Sequence, residues 1–453
     1  MKLNWIVSSF FLIVLNLPMI AIGQDWQVST FEVDVSPPIG SPVAYAPARS
    51  ITDPLLAKGL VIKSDQAPIV LCAVDYLGIA NEGLDAWKKA LAKAAKTNED
   101  RVWVSAIHQH DGMRCDFTTE SILKKYGLGG TRFDKPLLKK IIRKVARAVK
   151  VASKETTPVS HIGFGKARVE KVASNRRILG ESDTVEIIRW SKTSDPAAIA
   201  APEGLIDPWL KSVSFWNGEE AVAVLTYYAT HPQSYYGKGD VNAEFVGMAR
   251  RARQDETGIP HIHFNGAGGN ITAGKYNDGS EPVRPILAGR MERGMREAFV
   301  ATEKRPISGS ELQWKSTPIN LPLGEHLIEK ELRAKLAYPD LHRLKKFVAA
   351  KHLAWFLRVK DGHAIDISTL QLGSGIQLLH LPGELFIEYQ LAAQELLGDR
   401  ELCVAAYGEY GPGYIGTEIS YSQGGYETSE RASRVSPAAE KIIMDAIRGL
   451  FEE

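Results

Sequence analysis

Apolar and polar positions fall along this chain in two kinds of block. Runs rich in β-branched residues and bounded by turn formers read as buried strands over Pro68 to Gly78, Val102 to Ile107, Glu219 to Thr230, His261 to Asn265 and Gly375 to Leu381. Between them, helical spacing appears over Glu82 to Lys96, Lys135 to Lys154, Asn242 to Glu256, Leu327 to Val359 and Pro437 to Phe451. Pro339 lacks an amide donor and is expected to divide the fourth of these in two. Lys135 to Lys154 is basic, but Leu137, Leu138, Ile141, Ile142, Val145 and Val149 form one stripe. That is the pattern of a helix docked on a sheet with its lysines in solvent. The alternation runs on without a low-complexity linker, charge block or repeat. The fold class expected is therefore α/β, with one large domain over residues 24–453 built from mixed β-sheets layered with helices.

The N-terminus departs from this pattern. Lys2, the apolar run Trp5 to Leu17 and the small-residue site Ala21-Ile22-Gly23 read as a cleavable export signal over residues 1–23. The run is shorter than the ~20 apolar residues that span a bilayer. No cysteine follows Gly23 to carry a lipid anchor, so the mature chain is expected to begin near Gln24 and to be secreted or periplasmic, with no stable transmembrane segment.

Composition narrows the function classes. Across 453 residues, 44% are hydrophobic and 24% charged, the make-up of an ordinary globular protein. Fifty-five Lys+Arg against 53 Asp+Glu leave a net charge of +2, which gives no field directed at nucleic acid. Three cysteines, Cys72, Cys115 and Cys403, without a CxxC, exclude a disulfide scaffold and a thiolate zinc site.

Candidate chemistry gathers at strand ends. The run Val102 to Ile107 leads into His108-Gln109-His110-Asp111-Gly112, and residues i and i+2 of extended chain share a face. Two such imidazoles can serve one metal, or a metal and a substrate, or simply bridge core hydrogen bonds. His231 follows another strand, and Glu384 a third, in Leu381-Pro382-Gly383-Glu384. Two histidines and a carboxylate with an open position form a hydrolytic zinc set, although ligands so far apart obey no spacing rule. The glycine-rich turn Gly266 to Gly274 lacks the lysine of a P-loop and the third glycine of a dinucleotide fingerprint. What remains is a strand-to-helix turn in which backbone approaches something closely. Asn270-Ile271-Thr272 matches a glycan acceptor, but its packed surroundings argue for coincidence.

Taken in order, these stations resemble a known family. Asp34-Val35-Ser36-Pro37-Pro38-Ile39-Gly40 and Asp53-Pro54-Leu55-Leu56-Ala57-Lys58 are similar to the opening of the neutral/alkaline ceramidases, secreted zinc amidohydrolases that split the N-acyl bond of ceramide. The resemblance, over about residues 28 to 430, implies zinc as cofactor, held by His108, His231, Glu384 and Tyr414. It further implies a reaction carried by His110, Arg176 and Tyr426, with Thr272 standing where the family has the serine often assigned as nucleophile. Threonine keeps the hydroxyl but restricts its rotation. That favours attack by zinc-activated water, with Thr272 orienting substrate or water. Other departures are Asn270 for an aspartate, Gln109 and Asp111 for threonine and serine, Arg177-Ile178 for Ser-Pro, and no counterpart of the family's C-terminal immunoglobulin-like domain.

The implied activity is zinc-dependent hydrolysis of an amide in a small-molecule or lipid substrate. Two alternatives stay open: the same chemistry on an acylated sugar or peptide, and an inactive exported binding protein. Tyr414 and Tyr426 can also be packing aromatics, and Arg176 with Arg177 a surface ion-pair site.

Overall fold

The computed structural model describes residues 26–307 and 311–452; the expected export signal lies outside them. The architecture is α/β, with mixed sheets layered by helices. Two five-stranded sheets and one four-stranded sheet carry most of the described strands. The first runs Val102–Ala106, Ile69–Val74, Leu56–Lys63, Trp26–Asp34, Thr157–Val159, and the second His261–Asn265, Glu220–Tyr228, Trp209–Asn217, His161–Arg168, Glu303–Pro306. The third runs Leu312–Ile319, Ile365–Leu372, Ile376–His380, Glu401–Ala405.

Each sheet is antiparallel except for one parallel pair at its edge. Those pairs are Ile69–Val74 with Val102–Ala106, Glu220–Tyr228 with His261–Asn265, and Ile376–His380 with Glu401–Ala405. A parallel pair needs a crossover, and each has a helix: Glu82–Ala95, Glu244–Thr257 and Ile387–Leu397 respectively. The C-terminal ends of the three pairs are tied together. The Ala106 amide donates to Tyr407 O (3.1 Å), the Ala406 amide to Asn265 O (2.9 Å), and Asn265 Nδ2 to Ile107 O (3.3 Å). Three sheets thus empty their strand ends into one interior point, the position where parallel strands present side chains to ligands.

The helix Lys135–Ala152 docks as its pattern predicts. Leu138, Ile141, Ile142, Val145 and Val149 are buried, against the strand Trp26–Asp34 and the helix Glu82–Ala95. Asp134 caps it by accepting from the Leu137 amide at 2.9 Å. The Pro339 division is also present, as helices Glu329–Ala337 and Arg343–Lys360. Cys72, Cys115 and Cys403 are buried and free. No helix among the described residues is long and apolar enough to cross a membrane.

Candidate active centre

His108, His231 and Glu384 leave three different sheets and meet. His108 lies just past Val102–Ala106 with φ of 68°, a sparsely populated region for a side chain with a Cβ, so its backbone is held there by its surroundings. Tyr407, at φ 60°, stacks on it with ring centroids 4.5 Å apart. His231 follows Glu220–Tyr228. Glu384 opens the short strand Glu384–Leu385, which pairs in parallel with Tyr414–Ile415, and the register sets Glu384 directly beside Tyr414.

The glycine-rich turn makes this convergence sterically possible. A Cβ on Gly269 would lie 2.3 Å from Glu384 O, and one on Gly268 would lie 3.0 Å from the Thr230 carbonyl group. Gly268 and Gly269 therefore let the chain pass between the His231 and Glu384 backbones. A 3₁₀ turn, Gly274–Tyr276, follows in place of the helix expected there. Asn270 is fully buried, in keeping with no glycan. Its amide donates to Glu388 Oε2 (2.9 Å), which an aspartate could not do, and its oxygen accepts from the Ile387 amide (2.8 Å). Gln109 and Asp111 likewise brace loops: Gln109 donates to Asp75 O (2.6 Å), and Asp111 accepts from the Gly237 amide (2.7 Å).

Proton positions at the centre follow from its hydrogen bonds. His108 Nδ1 lies 2.7 Å from Leu77 O, and His231 Nδ1 lies 2.6 Å from Gly268 O and 2.8 Å from Ile271 O. A carbonyl only accepts, so both Nδ1 atoms carry a proton, and in the neutral ring each Nε2 then turns a lone pair inward. Those lone pairs face Glu384 Oε2 at 3.1 and 3.2 Å, and Tyr414 Oη is 3.2 Å from His231 Nε2. Glu384 Oε1 accepts from the Tyr410 hydroxyl at 2.6 Å, which fixes the carboxylate. Imidazole lone pairs and a carboxylate oxygen repel at such distances unless a proton or a metal ion sits among them. Ligands bonded at about 2.0–2.1 Å in a tetrahedron stand about 3.3 Å apart, close to the spacing found. The donor set therefore fits a zinc-like ion.

His110 completes the imidazole group. His108, His110 and His231 offer ligand atoms all within 4.8 Å of one another, and His110 Nε2 is 3.2 Å from His108 Nε2. Its Nδ1 meets the Tyr45 hydroxyl at 2.7 Å, and the Gln233 amide nitrogen lies 2.7 and 2.8 Å from its two ring nitrogens. Burial, reinforced by His108 and His231, pushes the His110 pKa well below the ordinary imidazole range, so the ring is neutral. Burial also lowers His231 to about 4, against the opposing pull of Glu384.

Arg176 is buried rather than exposed. Its Nη1 donates to Tyr414 Oη (3.0 Å), and its Nε lies 3.0 Å from Glu427 Oε1. The rings of Trp190, Tyr414 and Tyr426 surround its guanidinium at 5.7, 5.9 and 5.7 Å. Burial opposes its charge, but Tyr414 and Glu427 outweigh that and raise its pKa. Tyr426 is half-buried and packs edge-on against Tyr414 at 5.8 Å, so it reaches the centre through Arg176 and Tyr414. Thr272 lies apart in its bonding. Its hydroxyl donates out of the turn to Trp190 O (3.3 Å) and accepts from the Gly274 amide within it (3.2 Å).

Sequence reasoning missed Tyr45, Gln233, Tyr410 and Glu427. Tyr410 and Glu427 had a weak signal, because both lie in the Gly/Tyr-rich run from Gly408 to Glu427. Tyr45 and Gln233 belong to segments with no distinguishing pattern.

No protein-family profile and no curated protein matches the sequence. Solved structures do. A ceramidase complexed with C2 aligns with a TM-score of 0.69 over 94% of this chain and 75% of its own, at 15% identity. The neutral ceramidase of Pseudomonas aeruginosa aligns with a TM-score of 0.69 over 94% of this chain and 74% of its own, at 16% identity. The chain has the neutral ceramidase fold, as the motif order leads one to expect.

Proposed function

We propose that this protein is an exported zinc-dependent hydrolase that adds water across an amide bond, releasing a carboxylate and an amine. The observation that carries the reading is the convergence of His108 Nε2, His231 Nε2 and Glu384 Oε2, at 3.1 and 3.2 Å, with both Nδ1 protons committed to backbone carbonyls. His108, His231, Glu384 and Tyr414 would hold the zinc, which would supply Lewis acidity and lower the pKa of water from about 15.7 to about 7. His110, neutral and braced by Tyr45, takes the proton of the attacking water and returns it to the departing nitrogen. Arg176 offers a cation to the oxyanion that develops on the carbonyl, and Tyr426 a hydroxyl beside it. Thr272, with its hydroxyl engaged in the turn, holds the backbone that anchors His231 rather than attacking the substrate.

Intact donors in all four ligand stations favour an enzyme over an inactive binding protein. The fold shared with ceramidases, one of them complexed with C2, supports an N-acyl bond as the target. The test is hydrolysis of N-acyl amides by zinc-loaded protein, with His108→Ala and Glu384→Ala alongside. Undiminished turnover in both variants would remove the reading. Export is tested by N-terminal sequencing of the secreted or periplasmic protein, which is expected to begin near Gln24.

A further inference from the structure

Four cations beside the centre have no acidic partner. Phe347 is buried, and three of them surround its ring: the Arg114 guanidinium at 5.6 Å, that of Arg132 at 5.2 Å and the Lys351 ammonium at 5.1 Å. Arg434, only 3% exposed, donates from Nη1 to Gly411 O (2.6 Å), while its buried Nε has no hydrogen-bond partner. Among the described residues, no carboxylate lies within ion-pair distance of any of the four. Other buried arginines are treated differently. Arg250 meets Asp75 at 2.7 Å and Arg284 meets Glu244 at 3.3 Å, whereas Arg114, like Arg434, donates to a backbone carbonyl, that of Ala44.

A phenyl ring attracts a cation only weakly and cannot neutralise three. Like charges gathered in a partly desolvated space repel strongly. The repulsion registers on Lys351, whose ammonium is disfavoured first by burial and then by Arg434 and Arg114, against a smaller long-range pull from Glu384 and Asp116. The cluster also touches the reaction centre at two points. Arg114 lies 5.4 Å over the Tyr45 ring, whose hydroxyl meets His110 Nδ1 at 2.7 Å. Arg434 holds the carbonyl of Gly411, next to Tyr410, which fixes Glu384.

We propose that Arg114, Arg132, Lys351 and Arg434 form an anion subsite, and that the substrate is an amide bearing a carboxylate or sulfonate close to the scissile bond. The assignment of the anion to the substrate rests on the amide-hydrolase reading of the centre. A neutral diol headgroup would leave the cations uncompensated, whereas an N-acyl amino acid or its sulfonate analogue would neutralise them as it binds.

The test compares N-lauroylglycine, N-lauroyltaurine and the neutral N-lauroylethanolamine on the zinc-loaded full chain, with sodium sulfate against sodium chloride at equal ionic strength as an independent probe. The expected kcat/KM is at least about tenfold higher for an anionic amide than for the neutral one, since buried polar groups left unpaired discriminate strongly. Whether glycine or taurine is preferred tells carboxylate from sulfonate. In an Arg132→Gln/Lys351→Gln variant that ratio falls to within about twofold. Sulfate is expected to compete with N-lauroylglycine and to raise the melting temperature of the native chain but not of the variant. Equal turnover of charged and neutral amides with no effect of sulfate would overturn the subsite. Non-competitive inhibition by sulfate would overturn its role in substrate binding. Failure to hydrolyse any of the amides, with sulfate still protecting only the native chain, would leave the subsite standing and remove the amide reading instead.

Discussion

His108 and His231 are buried to the same degree as His263 and His380, at 0–1% exposure, and all four lie in or just beyond strands that lead to one interior. Their partners differ. The first two give Nδ1 to backbone carbonyls and turn Nε2 toward Glu384. His263 and His380 set Nδ1 against hydroxyls, Thr226 at 2.9 Å and Ser368 at 3.2 Å, and their Nε2 atoms are buried with no partner. His380 is packed as an aromatic, stacked 4.7 Å from Trp103. A hydroxyl can donate or accept, so it does not fix the tautomer as a carbonyl does. Residue type and burial therefore do not make a ligand. A fixed proton on one nitrogen and a shared anion opposite the other do.

The strongest way to break the comparison is to remove the anion. Glu384→Ala is expected to abolish metal retention and to lower amide hydrolysis by at least about 10³-fold, because even partners one step outside a metal's ligands cost 10–100-fold. Metal content and kcat/KM check this together. Crowding the junction is the next test. Gly269→Ala sets a Cβ 2.3 Å from Glu384 O, so it should cost about 1–3 kcal/mol in chemical unfolding and displace the carboxylate.

The pH dependence of stability probes the second histidine pair. Burial lowers His263 and His380 to about 3, with Arg250 adding to the effect at His263. Their folded pKa values lie below the unfolded imidazole value, so the unfolded chain takes up protons first as pH falls. Their contribution is complete above pH 6.5 and is lost between pH 6.5 and 3, by on the order of 1 kcal/mol per pH unit per histidine. His263→Leu and His380→Leu should flatten that slope in unfolding measured from pH 7 to 5, while metal content and turnover stay within about threefold of native. The smallest effect is expected at Thr272. If its hydroxyl only braces the turn, Thr272→Ala lowers kcat by less than about threefold, whereas loss of a nucleophile would cost orders of magnitude.

Much of this centre was legible from the chain. His108, His231 and Glu384 each follow an apolar strand, and the order of motifs carried the Tyr414 and Arg176 assignments. What the pattern did not reveal lies in long-range pairing. The strand His161–Arg168 joins two others in its sheet, yet its glycines hide it: a Cβ on Gly163 would lie 2.4 Å from Ser214 Oγ, and one on Gly165 would lie 2.1 Å from Ala298 O. The approach at Gly165 seats the helix Val283–Val300 on this strand. Tyr45 and Glu427 reach the centre from loops whose positions depend on the joined sheets, so no local spacing announces them. Arg176 looked ready for a surface ion pair because Arg177 follows it, and only the fold shows Glu427 buried between the two.

In the proposed centre His108, His231 and Glu384 turn their lone pairs on one metal ion. The most direct measurement is metal binding to chelator-stripped protein, titrated with zinc and read by calorimetry and elemental analysis. One zinc equivalent per chain is expected in the native protein and none in His231→Ala, while His263→Leu still binds one. A native chain that takes up no zinc, or a His231→Ala variant that binds it as well as native, would contradict the proposed centre.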